Sequence, residues 1–180
     1  MYGMVNKAVE DMVISGYGEA VWERIKEKAA VDVEVFISNE GYPDEMTYAL
    51  VGAASEVLKL PAPVILEAFG EHWILKTAMQ GYGDMMAAGG KTLREFLLNL
   101  PDFHSRVSMI LPHLAPPRFF CTGAGEQWVG IRYVSHRAGL APFVQGLLKG
   151  LGRMFQTEVT VLQTADKSGG AECDEFRVSW

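Results

Sequence analysis

The sequence contains few cysteines, and their spacing offers neither a metal site nor a covalent attachment point. Cys121 and Cys173 are the two in 180 residues, and neither belongs to a CxxC or CxxCH motif. This excludes c-type haem attachment and gives no indication of a structural zinc site. Such sparse cysteines are typical of a reducing compartment, so we expect a cytoplasmic location. We expect Cys121 to be a buried strand residue.

The sequence also lacks a basic excess and a long apolar run. Lysine and arginine number 16 against 22 acidic residues, which gives a net charge of −6 and a pI near 5.2. Nucleic acids attract basic surfaces, so we expect no nucleic-acid partner. No stretch approaches the ~18 apolar residues of a membrane span, and the N-terminus MYGMVNKAVEDM carries acidic residues early. We therefore expect no membrane partner and no signal peptide.

Motifs of enzymatic chemistry are missing as well. There is no GxSxG, and the four histidines at 72, 104, 113 and 136 show no metal-ligand spacing such as HExxH. GAGEQW has only two of the three glycines of a dinucleotide motif and lies between two predicted strands, so it reads as a turn. The sequence therefore does not predict an enzyme.

Helical patterns dominate the first part of the chain, over about 110 residues by this reading. Gly16 is expected to end the first helix, Asp44 to cap a third, and GYGD at 81–84 to break a fourth. VDVEVFIS could be an extended connector or a short strand. TLRE at 92–95 has the form of a capping box and opens another helix, which Pro101 should interrupt. Its restarted inward face would include Phe103, Val107, Ile110 and Leu111.

The pattern changes after Pro112. RFFC and QWVGIRYVSHR flank TGAGE as a β-hairpin would, and TEVTVLQT and DEFRVSW alternate as further strands. Between them, residues 140–154 carry the strongest helical stripe in the chain, with glycines at close-packing or hinge positions. We predict one α+β domain over residues 1–180. It has a helical N-terminal part and a C-terminal antiparallel sheet with one long inserted helix.

His104 is the histidine whose surroundings are unusual. It lies beside Phe103 at the edge of an apolar helix face, with Val107 about one turn later. Considered alone, this pattern favours an ordinary core histidine. The alternative is a single axial ligand to a planar apolar cofactor, because a porphyrin supplies four nitrogens and needs only one more from the protein.

The stretch YVSHR, residues 133–137, raises a second question. On a continued strand Tyr133, Ser135 and Arg137 would share a face with Val129 and Ile131. Three aligned hydrogen-bond donors suit an anion such as the two carboxylates of a haem, and Arg binds carboxylates in a bidentate manner. An exposed strand end with incidental polar residues explains the stretch at least as well.

Both features occur together in one family. The chain resembles the H-NOX (haem nitric oxide/oxygen binding) domains, above all cyanobacterial ones, which are related to the haem domain of soluble guanylate cyclase. The resemblance runs over nearly the whole chain, through MYGMVNKAVEDMV, TYALVGAASEVL, AFGEHW, REFLLNLPDFH, APPRFFC, YVSHR and GLAPFVQGLLKGLG. YxSxR is the signature of the family. The resemblance implies a haem b held between the helical part and the sheet.

The resemblance also assigns roles to individual residues. His104 becomes the iron ligand, Tyr133, Ser135 and Arg137 hold the propionates, and Pro117 presses on the macrocycle. The family's distal residues fall on Trp73 and on Phe143, where O₂-binding members have a tyrosine. Because phenylalanine donates no hydrogen bond, we expect NO and CO to bind and O₂ to be discriminated against, with the Trp73 indole the one possible donor. Three further residues are expected to contact the haem: Leu147, Met1 and Val5.

In this family, ligand binding releases the proximal histidine and its helix, and a separate effector such as a histidine kinase or cyclase responds. The resemblance therefore implies a sensor that acts on a partner protein. Two other interpretations remain. One is a haem-free binding domain on the same scaffold. The other is a haem oxidase or peroxidase, which needs distal acid–base residues; His72 adjoins Trp73 but points in a different helical direction.

Overall fold

The computed structural model describes residues 1–110 and 116–180. Leu111 and His113, together with the side chain of Ile110, lie outside the described residues. The helices are α1 (Gly3–Tyr17), α2 (Glu19–Lys28), α3 (Asp44–Leu58), α4 (Ala62–His72), α5 (Met79–Ala88), α6 (Leu93–Ile110) and α7 (Ala141–Met154). A π-helical segment, Trp73–Ala78, joins α4 to α5. The strands are β1 (Arg118–Ala124), β2 (Trp128–Val134), β3 (Thr160–Ala165) and β4 (Asp174–Ser179).

The four strands form one antiparallel sheet in the order β1-β2-β4-β3, and α7 is inserted between β2 and β3 in the chain. β1 and β2 form the expected hairpin, with Phe119 opposite Tyr133. Val129 and Ile131 are fully buried on the inner face of β2. The α+β prediction, with a helical first part and a sheet that follows, is therefore confirmed.

Two hydrophobic clusters form the core. The N-terminal cluster is built from α1 to α4 around Trp22, Ile25 and Leu50. The C-terminal cluster joins α6, α7 and the sheet around Phe96, Ile131 and Phe176. Trp73 packs against both clusters, so the π-helical segment lies where the two clusters meet.

Helices α4 and α7 approach each other closely enough to require glycine on both. A Cβ at Gly146 would lie 2.0 Å from the Glu67 carbonyl oxygen, and one at Gly70 would lie 2.2 Å from the Phe143 carbonyl oxygen. Neither position can therefore take a larger residue without separating the helices. The glycines of α7 were expected at close-packing or hinge positions, and Gly146 is a close-packing position against α4.

One predicted helix end is wrong, while two other expectations agree with the structure. The first helix passes Gly16 and ends at Tyr17, since Gly18, at φ 87°, is the residue that leaves the helical region. GYGD coincides with a kink, because Tyr82 inside α5 is non-helical at φ −141° and ψ 26°, although helical turns resume and continue to Ala88. VDVEVFIS is a connector, one of its two expected forms, and not a strand.

The start of α6 was predicted correctly, whereas the predicted interruption at Pro101 is wrong. The Glu95 amide donates to Thr92 Oγ1 at 3.2 Å, as in a capping box, and Glu95 Oε2 accepts from the Lys91 amide at 2.8 Å, one residue before the amide that a standard box uses. Pro101 does not interrupt α6, which continues to Ile110. Leu97 and Leu100 are buried in the C-terminal cluster, so tertiary packing holds the helix across the proline.

Within the residues described, no single helix is both long and apolar enough to cross a membrane. One pair, Asp44–Leu58 with Ala62–Ala88, meets that length and composition only when joined, and it is bent by 113°.

Candidate functional site

A cavity of about 240 Å³ lies where the two clusters meet, and most of its lining is apolar. Protein interiors contain few voids larger than a water molecule, and a large dry void is characteristically filled by an apolar ligand. All but one of the ten predicted site residues line this cavity: His104, Tyr133, Arg137, Pro117, Trp73, Phe143, Leu147, Met1 and Val5. The exception is Ser135.

His104 projects from α6 into the cavity, with its ring 4.5 Å from the Phe119 ring and 5.5 Å from the Phe103 ring between centroids. Burial among these groups lowers the pKa of His104 to about 4. The imidazole is therefore neutral at neutral pH. Its Nδ1 lies 3.2 Å from the Leu100 carbonyl oxygen, and donation of the Nδ1 proton leaves the lone pair on Nε2. A neutral, oriented imidazole of this kind is a good metal ligand.

Pro117 lines the cavity just before β1, two residues ahead of Phe119. Because its ring has few rotatable bonds, a proline at a cavity wall keeps its shape against whatever is bound. Phe119 itself touches both His104 and Tyr133, with a centroid separation of 5.3 Å from the Tyr133 ring. The start of β1 thus connects the imidazole to the next group of site residues.

Tyr133 and Arg137 bring hydrogen-bond donors to the cavity. Tyr133 is buried, and burial raises the pKa of its phenol, so it remains a donor at neutral pH. The Arg137 guanidinium is bound to Asp44 through Nε at 2.8 Å and Nη2 at 3.3 Å. A cationic group and a hydroxyl in an otherwise apolar wall suit a ligand with a carboxylate end.

Ser135 and Arg137 lie beyond the end of the strand on which the alternation placed them, although Ser135 hydrogen-bonds the Tyr133 side chain and Arg137 lines the same cavity as Tyr133. β2 ends at Val134, which pairs with the first residue of β1, so the chain beyond it has no neighbouring strand to continue the ladder. Ser135 Oγ instead accepts the Arg137 amide at 3.1 Å, and its carbonyl accepts Lys167 Nζ at 2.8 Å. Ser135 thus orders the segment that carries Arg137.

Asp44 was expected to cap α3, but it is the first residue of that helix and makes no capping bond. Its carboxylate instead binds Arg137 and lies 2.6 Å from the Met1 ammonium. Burial raises the pKa of Asp44, but the hydrogen bonds from the Met1 ammonium and Arg137 outweigh that effect and hold the pKa below its usual value. Asp44 is therefore ionised at neutral pH.

Three aromatic rings meet at another part of the cavity wall. Phe69 lies 5.0 Å from Phe143 and 6.0 Å from Trp73 between centroids, and Trp73 lies 6.4 Å from Phe143. The close α4–α7 packing brings Phe143 to this position, and Trp73 begins the π-helical segment. Within this trio the Trp73 indole is the only hydrogen-bond donor.

Sequence reasoning missed three tyrosines that also line the cavity: Tyr2, Tyr48 and Tyr82. Tyr48 donates from its hydroxyl to the Ala138 carbonyl at 3.0 Å, and the Tyr82 hydroxyl lies 3.9 Å from Met4 Sδ. Tyr48 follows Asp44 by one helical turn and so lies on the same face of α3. Recognition of Asp44 as the partner of Arg137 would therefore have indicated Tyr48 as well. Tyr82 sits in GYGD, which the pattern assigned to a helix break.

In the part of the chain that the structure describes, the other histidines and the cysteines do not line the cavity. His136 Nε2 lies 3.8 Å from Asp44, outside the cavity lining, and His72 Nε2 is buried without a hydrogen-bond partner among the described residues. Burial lowers the pKa of His72. Cys121 is exposed, contrary to prediction, because β1 is an edge strand with a bulge next to Cys121.

Comparison with known proteins decides the family. The model of the family described as Haem-NO-binding matches residues 2–163. The chain belongs to the Haem-NO-binding family. Domains of this family, the H-NOX domains, are haem-based gas sensors and not catalytic domains, and they signal to effectors such as cyclases.

Curated relatives include two soluble guanylate cyclases of Caenorhabditis elegans. Gcy-37 is 30% identical over 187 residues and gcy-31 is 24% identical over 162 residues, covering 99% and 89% of this chain. The match spans only 26% and 23% of the length of those relatives. The chain thus spans about a quarter of the cyclases it resembles.

Solved H-NOX structures share the fold. An H-NOX protein of S. oneidensis in the Fe(II)NO ligation state gives a TM-score of 0.89 at 22% identity, over 99% of this chain and 98% of that one. The unliganded Fe(II) H-NOX protein of K. algicida gives 0.86 at 20% identity, over 99% and 96%. The helical part and the sheet therefore have the H-NOX arrangement.

Proposed function

We propose that residues 1–180 form a single sensor domain that holds haem b in the cavity between the two clusters. The observation that carries this proposal is one apolar cavity lined by the neutral imidazole of His104, by Arg137 and Tyr133, and by Pro117. These residues fit a haem, which has an apolar ring, an iron that takes an imidazole nitrogen, and two carboxylates. A single histidine suffices for such a group, which agrees with the lack of a metal cluster in the described residues.

Each site residue then has a distinct task. His104 binds iron through Nε2, while Leu100 holds Nδ1 and fixes the ring. Arg137 and Tyr133 donate to the cofactor carboxylates, and Ser135 orders Arg137 through its amide. Pro117 would contact the ring, and four further apolar side chains of the cavity lining would surround it: Met1, Val5, Leu147 and Phe143. When bound, ferrous haem supplies an iron atom with an open coordination position for a diatomic gas.

The gases we propose are NO and CO, with O₂ discriminated against. Bound O₂ is held in haem proteins with the help of a hydrogen-bond donor, and Phe143 has none. Phe69 and Phe143 leave the Trp73 indole as the single donor of the aromatic trio. The S. oneidensis H-NOX protein has been solved in Fe(II)NO and Fe(II)CO ligation states, which supports the same ligands for this chain.

The signal we propose is the release of His104 from iron when NO binds. His104 is part of α6, and its Nδ1 bond is to Leu100 of the same helix, so a displaced imidazole remains attached to α6. A change at one bond thereby biases the position of a whole helix. We propose that a separate effector, such as a histidine kinase or cyclase, reads that position, and that the domain works in the cytoplasm. Its two unpaired cysteines agree with a reducing location.

The test is an absorption spectrum of the purified, reduced protein before and after addition of NO, compared with His104→Gly supplemented with imidazole. Before NO both proteins have one imidazole nitrogen on iron and should have similar spectra. Loss of the histidine bond predicts that the two spectra also coincide after NO, since neither protein then has an imidazole nitrogen on iron. Air should leave the reduced spectrum unchanged. A wild-type spectrum that still differs from that of His104→Gly under NO contradicts the release of His104.

A further inference from the structure

The cavity has a thin wall towards solvent. Beside it lies an open cleft between α3 and residues 136–139, lined partly by Asp44, His136 and Gly139. Four side chains line both the cavity and the cleft: Tyr48, Val51, Leu66 and Arg137. A single layer of side chains therefore separates the cavity from the cleft along this seam, which we define as the junction of α3 with residues 136–140.

Polar contacts close the seam. Arg137 binds Asp44 through two nitrogens, and Tyr48 donates to the Ala138 carbonyl at 3.0 Å. His136 Nε2 also lies 3.8 Å from the Asp44 carboxylate. Asp44 and Tyr48 are four residues apart on α3 and so lie on one helix face, while Arg137 and Ala138 are adjacent. The side chains of Asp44 and Arg137 are 26% and 15% exposed and Tyr48 is 37% exposed, so water can reach these contacts when α3 separates from the segment.

The segment opposite α3 has the freedom that such a separation needs. Residues 135–140 belong to no helix or strand, and Gly139 has a φ of 72° with open space around it. Ser135 is tied to Lys167 at the other end of the segment. Movement of residues 136–139 can therefore occur between an anchored Ser135 and a permissive Gly139, without disturbing the ladder of β2.

We propose that this seam is the route by which haem enters and leaves the cavity, and that Asp44–Arg137 and Tyr48–Ala138 are its latch. The proposal rests on the proposed function. A rigid planar cofactor cannot pass through the close-packed clusters, so a wall must open. At the seam a carboxylate of the incoming haem meets Arg137 first. It can replace the Asp44 carboxylate as the hydrogen-bond acceptor of the Arg137 guanidinium. Arg137 therefore binds Asp44 when the seam is closed without haem and binds the haem carboxylate once haem has entered.

The experiment measures the rate of haemin uptake by the apo-protein and the rate of haemin loss from the loaded protein. Association is followed by stopped-flow absorption after mixing with haemin, and dissociation by transfer of haemin to excess apomyoglobin. Tyr48→Phe removes one hydroxyl and keeps the ring. We expect it to raise both rates by a similar factor, on the order of 3- to 10-fold for one lost hydrogen bond, and to leave the dissociation constant within about twofold. Tyr17→Phe, an exposed tyrosine of α1, is the matched control and should leave both rates unchanged.

Three outcomes are distinct. If Tyr48→Phe loses haemin faster but takes it up at the wild-type rate, Tyr48 stabilises bound haem and is not part of a latch. Wild-type rates in both Tyr48→Phe and Asp44→Asn would overturn the latch as well, once thermal unfolding shows that both variants are folded. A folded wild-type protein that takes up no haemin contradicts the proposed function itself, whereas normal uptake with unaltered variant rates removes only the latch.

Discussion

Two parts of the cavity wall have opposite electrostatic properties, since one keeps a basic side chain neutral and the other stabilises charged side chains. Around His104 the wall is aromatic and buried, and it holds the pKa of a basic side chain at about 4. Around Arg137 the wall reaches solvent, and an ionised carboxylate is stabilised by cations. The first part suits a neutral ligand to iron and the second suits a charged end. Such a difference would orient an amphiphilic cofactor, and the described residues contain no cluster of metal ligands that could do so instead.

The largest expected effect comes from removal of the imidazole. His104→Gly should weaken haem binding by at least ~100-fold, beyond the 10- to 100-fold typical of changes around metal ligands. Added imidazole should restore much of the pigment. Haemin titration monitored by absorption measures both. His136→Gly, a change near the charged wall, is the control and should retain haem.

A titration of stability tests the buried wall without cofactor. Because the pKa of His104 is about 4 when folded and ~6.5 when unfolded, unfolding takes up a proton between those values. The contribution of His104 to the free energy of unfolding of the apo-protein should therefore be complete above pH 6.5. It should fall by ~3 kcal/mol as the pH falls to 4.

Urea unfolding at several pH values gives the comparison, with His104→Gln as the variant. The wild-type protein should show the additional slope between pH 6.5 and 4, and His104→Gln should lack it. Parallel curves for the two proteins would show that the imidazole is not held neutral by burial.

The charged wall predicts a smaller effect on haem affinity. Arg137→Ala removes charge-assisted hydrogen bonds that are worth ~1.5–3 kcal/mol, so haemin should bind about 10- to 150-fold more weakly. Equilibrium titration against wild type tests this. Arg153→Ala, which breaks the exposed Arg153–Glu71 pair on α7, should retain wild-type affinity. Equal losses in both variants would indicate general destabilisation instead of carboxylate binding.

The smallest expected effect concerns the aromatic trio. Phe143→Tyr adds a hydroxyl beside Trp73 and should slow O₂ dissociation from the reduced protein by ~2- to 12-fold, the value of one hydrogen bond. Phe143→Leu changes the packing without adding a donor and should not. Laser photolysis of the CO form in the presence of O₂ gives both rates. Slower dissociation in the leucine variant would assign the effect to cavity size.

Local chemistry made most of the fold predictable. The capping box of α6, the hairpin and the α7 stripe depend on neighbouring residues, and each appears in the structure. Failures arose where distant contacts decide. Pro101 stays inside α6 because core packing holds both of its sides, and Asp44 serves Arg137 from 93 residues away.

The site divides in the same way. Nine of the ten residues that the likeness to the H-NOX pattern assigned to the site line the cavity, and His104, Tyr133 and Phe143 among them lie on regular elements. It could not predict that β2 ends before Ser135, since that depends on where β1 begins. It also gave no indication of Tyr48. The hydroxyl of Tyr48 donates to the backbone carbonyl of Ala138, and a backbone partner requires no particular residue type in the sequence.

The measurement that tests the central claim most directly is resonance Raman spectroscopy of the reduced, haem-loaded protein in the region of the iron–histidine stretch. The account predicts one such band in wild type, its absence in His104→Gly, and a shifted band when imidazole is added to that variant. An unchanged band in His104→Gly would show that another side chain holds the iron, and the assignment of His104 would be wrong.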